Sequence, residues 1–155
     1  MKRLLILILA IFVILLFIPS KEETLLEAYG NSKDVPSPAD RIPEKDIHVY
    51  DDRVVINVDN PVWASFTDTN SMDPVFDVGA NVIEIIPKSE DELKVGDIIS
   101  YRQNGFNKNI IHRIIKIGED EKGWYAIVKG DNNAEKDPQK VRFDSVQRVV
   151  VAIIY

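Results

Sequence analysis

The sequence predicts a mainly β domain with barrel-like closure. From residue 47 onward, short runs rich in β-branched and aromatic residues alternate with segments of Asp, Asn, Pro and Gly, which favour turns. Only residues 90–94 resemble a helical turn. Closure into a small barrel would remove the many strand edges that so short a domain otherwise exposes. The predicted strands are 53–58, 63–66, 81–86, 97–101, 110–117, 124–128 and 146–154.

Residues 4–18 form an uninterrupted apolar run, preceded by Lys2 and Arg3 and ended by Pro19. As a helix this run spans roughly 22 Å, close to the thickness of a bilayer core. A cleaved signal peptide has a similar layout, but the residues after the run lack the Ala-x-Ala exit that cleavage favours. We therefore predict one uncleaved transmembrane helix within residues 1–20. The two basic residues predict a cytoplasmic N-terminus and an extracytoplasmic domain.

Residues 21–45 are predicted to be a tether. They begin with three glutamates and then contain Pro36, Pro38 and Pro43, which prevent regular structure. The folded domain is predicted to occupy residues 46–155.

Composition excludes several classes of function. The chain has no cysteine, so disulfides and thiol catalysis are ruled out. Its net charge of -6 and the lack of a basic stripe argue against a nucleic-acid partner. Its only two histidines, His48 and His112, do not stand in a zinc-binding motif. No metal and no cofactor are predicted.

Three short motifs supply a hydroxyl, an imidazole and a carboxylate, in that order. Ser71 lies in a polar stretch ended by Pro74, where most serines are turn or cap residues. His112 lies in a run of isoleucines, where a lone histidine is commonly a core residue whose ring nitrogens bond to backbone. It is also suited to act as a general base.

The carboxylate has two candidates. Asp131 and Asp137 flank a turn-like segment, where local hydrogen bonds or an ion pair with Lys129 or Lys136 are the ordinary explanation. The alternative is that one of the two aspartates orients His112. Spacing does not decide between them.

Taken together, the motifs resemble the signal peptidase I family, in its archaeal and endoplasmic-reticulum branch. Ser-Met-x-Pro is present at residues 71–74, His-Arg-Ile at 112–114, and Gly-Asp-Asn-Asn at 130–133 with Asp137 following. Residues 94–99 match a fourth segment, so the resemblance covers roughly residues 63–155. It implies that residues 46–155 are a serine peptidase domain of the signal-peptidase type.

The resemblance also implies roles and partners. Ser71 looks like the nucleophile, His112 like the general base and Asp137 like its partner, with Asp131 as a second supporting carboxylate. Bacterial relatives use a lysine where this chain has His112, and neither Lys108 nor Lys116 falls at that place. The implied activity is cleavage of signal peptides or related preproteins after small residues, through an acyl-enzyme. The expected partners are preprotein substrates, membrane lipid and secretion-machinery subunits.

A second hypothesis is a catalytically silent, membrane-anchored β domain that binds peptides or partner subunits. The acidic composition and the strand edges of a small β domain motivate it. Proximity of Ser71 and His112 would favour the peptidase, whereas wide separation would favour the binding domain.

Overall fold

The computed structural model describes residues 35–103 and 109–155, and it is mainly β. In those residues three short 3-10 turns accompany eight strands, and one of the turns, Glu90–Glu92, lies where the sequence predicted a helical turn. The strands are β1 Ile47–Val49, β2 Val54–Ile56, β3 Val62–Ser65, β4 Asn81–Ile85, β5 Ile98–Tyr101, β6 Ile110–Asp120, β7 Gly123–Lys129 and β8 Val146–Ile154.

The strands form two antiparallel sheets. β1 and β2 pair with each other as a hairpin, and the other six follow the order β3-β4-β8-β5-β6-β7. β8, last in the sequence, thus lies between β4 and β5. The segment that carries Ser71 connects β3 to β4. These two strands pair with each other, so the sheet holds both ends of the segment.

The predicted barrel closure is not present in the part of the chain that the structure describes. β3 and β7 are the two edges of the six-stranded sheet and do not pair with each other. Instead, backbone groups on the outer edge of β7 form hydrogen bonds with the segment that follows this strand. Ala126 and Val141 exchange two backbone hydrogen bonds of 2.8 and 2.9 Å, and the Asp137 amide donates to the Val128 carbonyl. Because a returning loop covers this edge, closure is not needed to protect it.

Both faces of the six-stranded sheet are packed. Along β5, Ile99 and Tyr101 belong to one buried cluster, while Ile98 belongs to the other. This alternation is the period of two expected for a strand buried on both faces. Met72 and Phe76, from the Ser71 segment, pack in the second cluster and fix that segment against the sheet.

The predicted anchor falls on residues 4–18, outside the described residues. Across residues 35–103 and 109–155, no helix has the length and apolar character needed to span a membrane. The last part of the predicted tether is described and contacts the domain: the Ala39 amide and the Arg41 guanidinium both donate to the buried carboxylate of Asp97.

Candidate active site

The turn that presents Ser71 is shaped by its neighbours. Asn70 has a φ of 57°, a left-handed conformation that asparagine tolerates better than most residues. Just after it, Met72 is only 2% exposed, and its carbonyl accepts hydrogen bonds from the amides of Val75 and Phe76. Ser71 therefore lies between a left-handed residue and a buried side chain. Its hydroxyl Oγ lies 3.2 Å from Thr69 Oγ1.

His112 lies on β6 and is 7% exposed. Its Nδ1 lies 2.9 Å from both carboxylate oxygens of Asp137. An ionised carboxylate can only accept, so Nδ1 carries the proton and donates it to Asp137. In neutral imidazole this leaves Nε2 as the acceptor, the tautomer that a general base requires.

Tyr101 is a second donor to Asp137. Its buried hydroxyl donates to Oδ2 of that carboxylate. Burial by itself raises the pKa of Asp137, but the hydrogen bonds from His112 and Tyr101 and the charge of His112 outweigh it, so the pKa lies below its ordinary value. Burial and the neighbouring carboxylate raise the pKa of Tyr101 well above its usual range, which keeps the hydroxyl a donor.

Asp131 has a different partner. It accepts from Arg113 Nε at 2.8 Å and from Arg113 Nη2 at 2.6 Å, a bidentate ion pair that is mostly buried. The third nitrogen of the guanidinium, Nη1, donates to the Gly96 carbonyl at 2.9 Å. Of the two candidate carboxylates, the structure thus brings Asp137 to His112 and Asp131 to Arg113. Asp131 is thus linked to His112 only through Arg113, the next residue in the chain.

Residues 130–133 bind the Ser71 turn to the strands. The Asn132 amide donates to the Ser71 carbonyl at 3.0 Å, and Asn132 Nδ2 donates to the Asn70 carbonyl at 2.9 Å. A Cβ at Gly130 would lie 2.5 Å from the Ser71 carbonyl oxygen, so only glycine fits there without displacement. The Gly-Asp-Asn-Asn motif therefore connects the serine and histidine motifs physically.

A cavity of about 440 Å³ is lined by both Ser71 and His112. Its wall is largely apolar and includes Phe66 and Phe76, whose rings stack with centroids 4.4 Å apart. Among the described residues, no hydrogen bond joins Ser71 Oγ to His112. Such bonds are often long in an enzyme without substrate and shorten only when substrate binds.

Three contributors to this arrangement were not identified from the sequence: Tyr101, Arg113 as the partner of Asp131, and Gly130 as a site of close approach. Tyr101 could have been found by pairing the predicted strands, because β5 and β6 place Ile99 opposite His112 and so put Tyr101 on the same face. In the described part of the chain, no three His, Asp or Glu side chains cluster as metal ligands would.

Sequence comparison identifies relatives that are named as signal peptidase subunits. A protein from Scheffersomyces stipitis named signal peptidase complex catalytic subunit SEC11 is 32% identical over 84 residues, which are 54% of this chain and 48% of that protein. The Candida tropicalis protein of the same name gives the same identity and coverage. A human protein named putative signal peptidase complex catalytic subunit SEC11B is 37% identical over 70 residues, 44% of this chain and 42% of its own length.

No protein-family model matches the chain. No solved structure matches it either. The chain spans about half the length of the curated relatives it matches. The resemblance that the motifs indicated is nevertheless confirmed: over about half of its length, this chain is similar to the catalytic subunits of signal peptidase complexes.

Proposed function

We propose that this chain is a membrane-anchored serine endopeptidase that cleaves signal peptides or related preproteins after small residues. One observation carries the proposal. His112 Nδ1 lies 2.9 Å from both oxygens of Asp137, while His112 and Ser71 line the same cavity. A buried imidazole held by a carboxylate beside a serine hydroxyl is the arrangement that activates a serine nucleophile.

In the proposed reaction, Ser71 Oγ attacks the carbonyl carbon of the cleaved bond, and His112 Nε2 takes the hydroxyl proton. Asp137 holds the ring through Nδ1 and stabilises the imidazolium that forms. His112 then gives the proton to the departing amine, leaving an ester between Ser71 and the new carboxyl end. Water attacks this ester, with His112 again as the base, and Ser71 is restored.

The negative charge on the attacked carbonyl oxygen needs donors. The Thr69 hydroxyl is the candidate, because Thr69 Oγ1 lies 3.2 Å from Ser71 Oγ and accepts a 3.5 Å hydrogen bond from the Ser71 amide. A hydroxyl at this place can donate to an oxyanion formed at the serine. Asn70 is less suited, because its side chain donates to Asp68.

The predicted roles of the remaining segments complete the proposal. Residues 1–20 would form the single-pass anchor and residues 21–45 the tether, with the N-terminus cytoplasmic and the peptidase outside. Two facts support a location beside secretion machinery: the apolar N-terminal run and the relatives that are named as subunits of a complex.

The test is cleavage of a fluorogenic signal-peptide substrate by the purified full chain in detergent. We expect Ser71→Ala and His112→Ala each to lower kcat by at least about 10⁴-fold, and the double variant to lose little more, because the residues act as a unit. His48→Ala is the matched control, since this other histidine lies in the exposed β1–β2 hairpin, where Nε2 contacts Asn57. Equal rates in all variants would exclude the peptidase.

A second candidate function is binding of a partner subunit without cleavage. The β1–β2 hairpin favours it, because Val49 and Val54 on its strands and Tyr50, just after β1, are each at least half exposed. The same assay separates the candidates: a binding domain would retain its partner but cleave nothing, with or without Ser71.

A further inference from the structure

The cavity that contains Ser71 and His112 carries a fixed negative charge. Asp77 is the single carboxylate among the described residues that line it, and neither lysine nor arginine lines it in that part of the chain. The rest of the wall consists of apolar side chains and neutral polar groups. A substrate residue that enters this cavity therefore meets one carboxylate, that of Asp77.

Asp77 is held in place by the turn that presents the nucleophile. Its Oδ1 accepts hydrogen bonds from the backbone amides of Thr69, at 3.3 Å, and Asn70, at 3.4 Å. Its second oxygen, Oδ2, accepts no hydrogen bond from any described residue. One oxygen thus fixes the position of the side chain, and the other is not used by the described residues.

The surrounding surface strengthens the effect of this charge. Phe66 and Phe76 form a stacked apolar wall of the same cavity, and apolar walls of low dielectric focus the field of a neighbouring charge. The chain as a whole also carries a net charge of -6. A cation is favoured in this cavity and an anion is disfavoured.

We propose that Asp77 makes this peptidase select substrates with a lysine or arginine within a few residues of the cleaved bond, and reject those with an acidic residue there. The inference rests on the proposed function and adds a substrate class to it. Because the cavity is open to solvent, attraction of a cation and repulsion of an anion each contribute only modestly. Together they amount to about a fivefold to tenfold difference in kcat/KM at low salt.

The alternative explanation is that Asp77 serves only to accept the two amide hydrogens. Asp77→Asn separates these roles, because the amide side chain keeps a carbonyl oxygen for Thr69 and Asn70 but has no charge. The matched control is Asp68→Asn. Asp68 is an exposed carboxylate in the same turn that does not line the cavity.

The experiment uses the full chain in detergent and one cleavable peptide in three forms, with Lys, Gln or Glu at a single position. Each of the three positions on either side of the cleaved bond is varied in turn, and kcat/KM is measured at 20 mM and 500 mM NaCl. We expect a Lys-to-Glu ratio of about five to ten at one or two positions, reduced to near one by high salt or by Asp77→Asn and retained in Asp68→Asn.

A ratio near one at all positions in the unmodified chain would overturn the inference while leaving the peptidase intact. So would a ratio that Asp77→Asn leaves unchanged. The salt series needs no variant, so the proposal can be refuted even if Asp77→Asn folds poorly. If the unmodified chain cleaves none of the peptides, the proposed function itself fails, and the inference fails with it.

Discussion

Tyr101 is the residue whose contribution is easiest to isolate. Its hydroxyl donates to Asp137 and lowers the pKa of that carboxyl, so Tyr101→Phe removes one donor and no packing volume. At pH 7 we expect a loss of about 1.5 kcal/mol in the free energy of unfolding, because a hydrogen bond to a charged group is lost. We also expect about tenfold lower kcat/KM, since Asp137 orients His112 less firmly.

The pH dependence of this loss has a defined sign. The pKa of Asp137 is depressed in the folded protein, so its ionised form stabilises the fold above the ordinary aspartate pKa of 3.8, and this stabilisation is lost as pH falls through the lower folded value. The difference between the native chain and Tyr101→Phe should therefore be full at pH 7 and narrow only below about pH 4. Urea unfolding at pH 7 and below about pH 4 measures this difference in the free energy of unfolding. Tyr125→Phe is the control, because its hydroxyl bonds to no described residue.

Asp131 and Asp137 should differ in what their loss affects. Asp137→Asn keeps the shape but presents a group that can stabilise the wrong tautomer of His112, so we expect kcat to fall by about 10³–10⁴-fold with modest loss of stability. Asp131→Asn leaves the mostly buried Arg113 without its charged partner. We expect it to lose about 3 kcal/mol of stability, while the molecules that remain folded keep most of their kcat.

Urea unfolding and active-site titration distinguish these two outcomes. If Asp131→Asn abolished turnover in fully folded protein, Asp131 would instead have a direct role at the imidazole.

These residues also show how far the sequence predicted the site. Residue type, order and family resemblance led us to predict Ser71, His112 and an aspartate as site residues, but spacing left Asp131 and Asp137 equivalent. Their partners depend on the register of β6 against β7, where Arg113 pairs with Lys129 at the very end of the strand. A one-residue shift would exchange the faces of His112 and Arg113, and no local pattern determines that register.

Among the structural elements, the turn at residues 130–133 is the most sensitive to added volume. Gly130→Ala would bring a Cβ to 2.5 Å from the Ser71 carbonyl oxygen, a backbone atom that can yield only if the Ser71 turn moves. We expect about 1–3 kcal/mol of destabilisation and at least tenfold lower kcat. Gly118→Ala is the matched control, because its Cβ would instead meet the Tyr125 side chain at 2.7 Å, on β6 and β7.

Stability and kcat should separate the two glycine variants. Both should lower the urea midpoint, but only Gly130→Ala should lower kcat in the folded protein. Unchanged kcat in Gly130→Ala would mean that the position of this turn does not control Ser71, the proposed nucleophile.

The strands themselves were predicted well because alternating β-branched residues are a local signal. β4, β5, β7 and β8 lie within a residue or two of their predicted limits, and β6 continues three residues further. The short strand β1 was missed, because its three residues pair only with β2 and contribute no buried apolar side chain.

The sequence analysis predicted a closed barrel and so missed that the six-stranded sheet is open. Edge protection by a returning loop depends on contacts between Ala126 and Val141, which no short-range pattern records.

Across the β domain, the segment before β1 is tied down by Asp97. This fully buried carboxylate accepts from the Ala39 amide, the Lys94 amide and the Arg41 guanidinium. Arg41→Ala should therefore cost about 3 kcal/mol in the free energy of unfolding, because a buried charge loses its partner. Arg53→Ala is the control and should cost about 0.5 kcal/mol or less, because the pair with Asp52 is exposed.

Limited proteolysis gives a second measurement of the same contact. Arg41→Ala should accelerate cleavage within residues 36–45 relative to the Arg53→Ala chain. Equal unfolding midpoints and equal cleavage rates would show that these residues are not held by Asp97.

The bond from Asn132 to the Asn70 carbonyl joins residues 62 positions apart in the sequence. Such a contact forms only when most of the sheet between them has assembled. A chain still emerging from the ribosome, with residues beyond 129 not yet made, therefore lacks the support that shapes the Ser71 turn. On the proposed function, we therefore expect no peptidase activity from a chain that ends before residue 130.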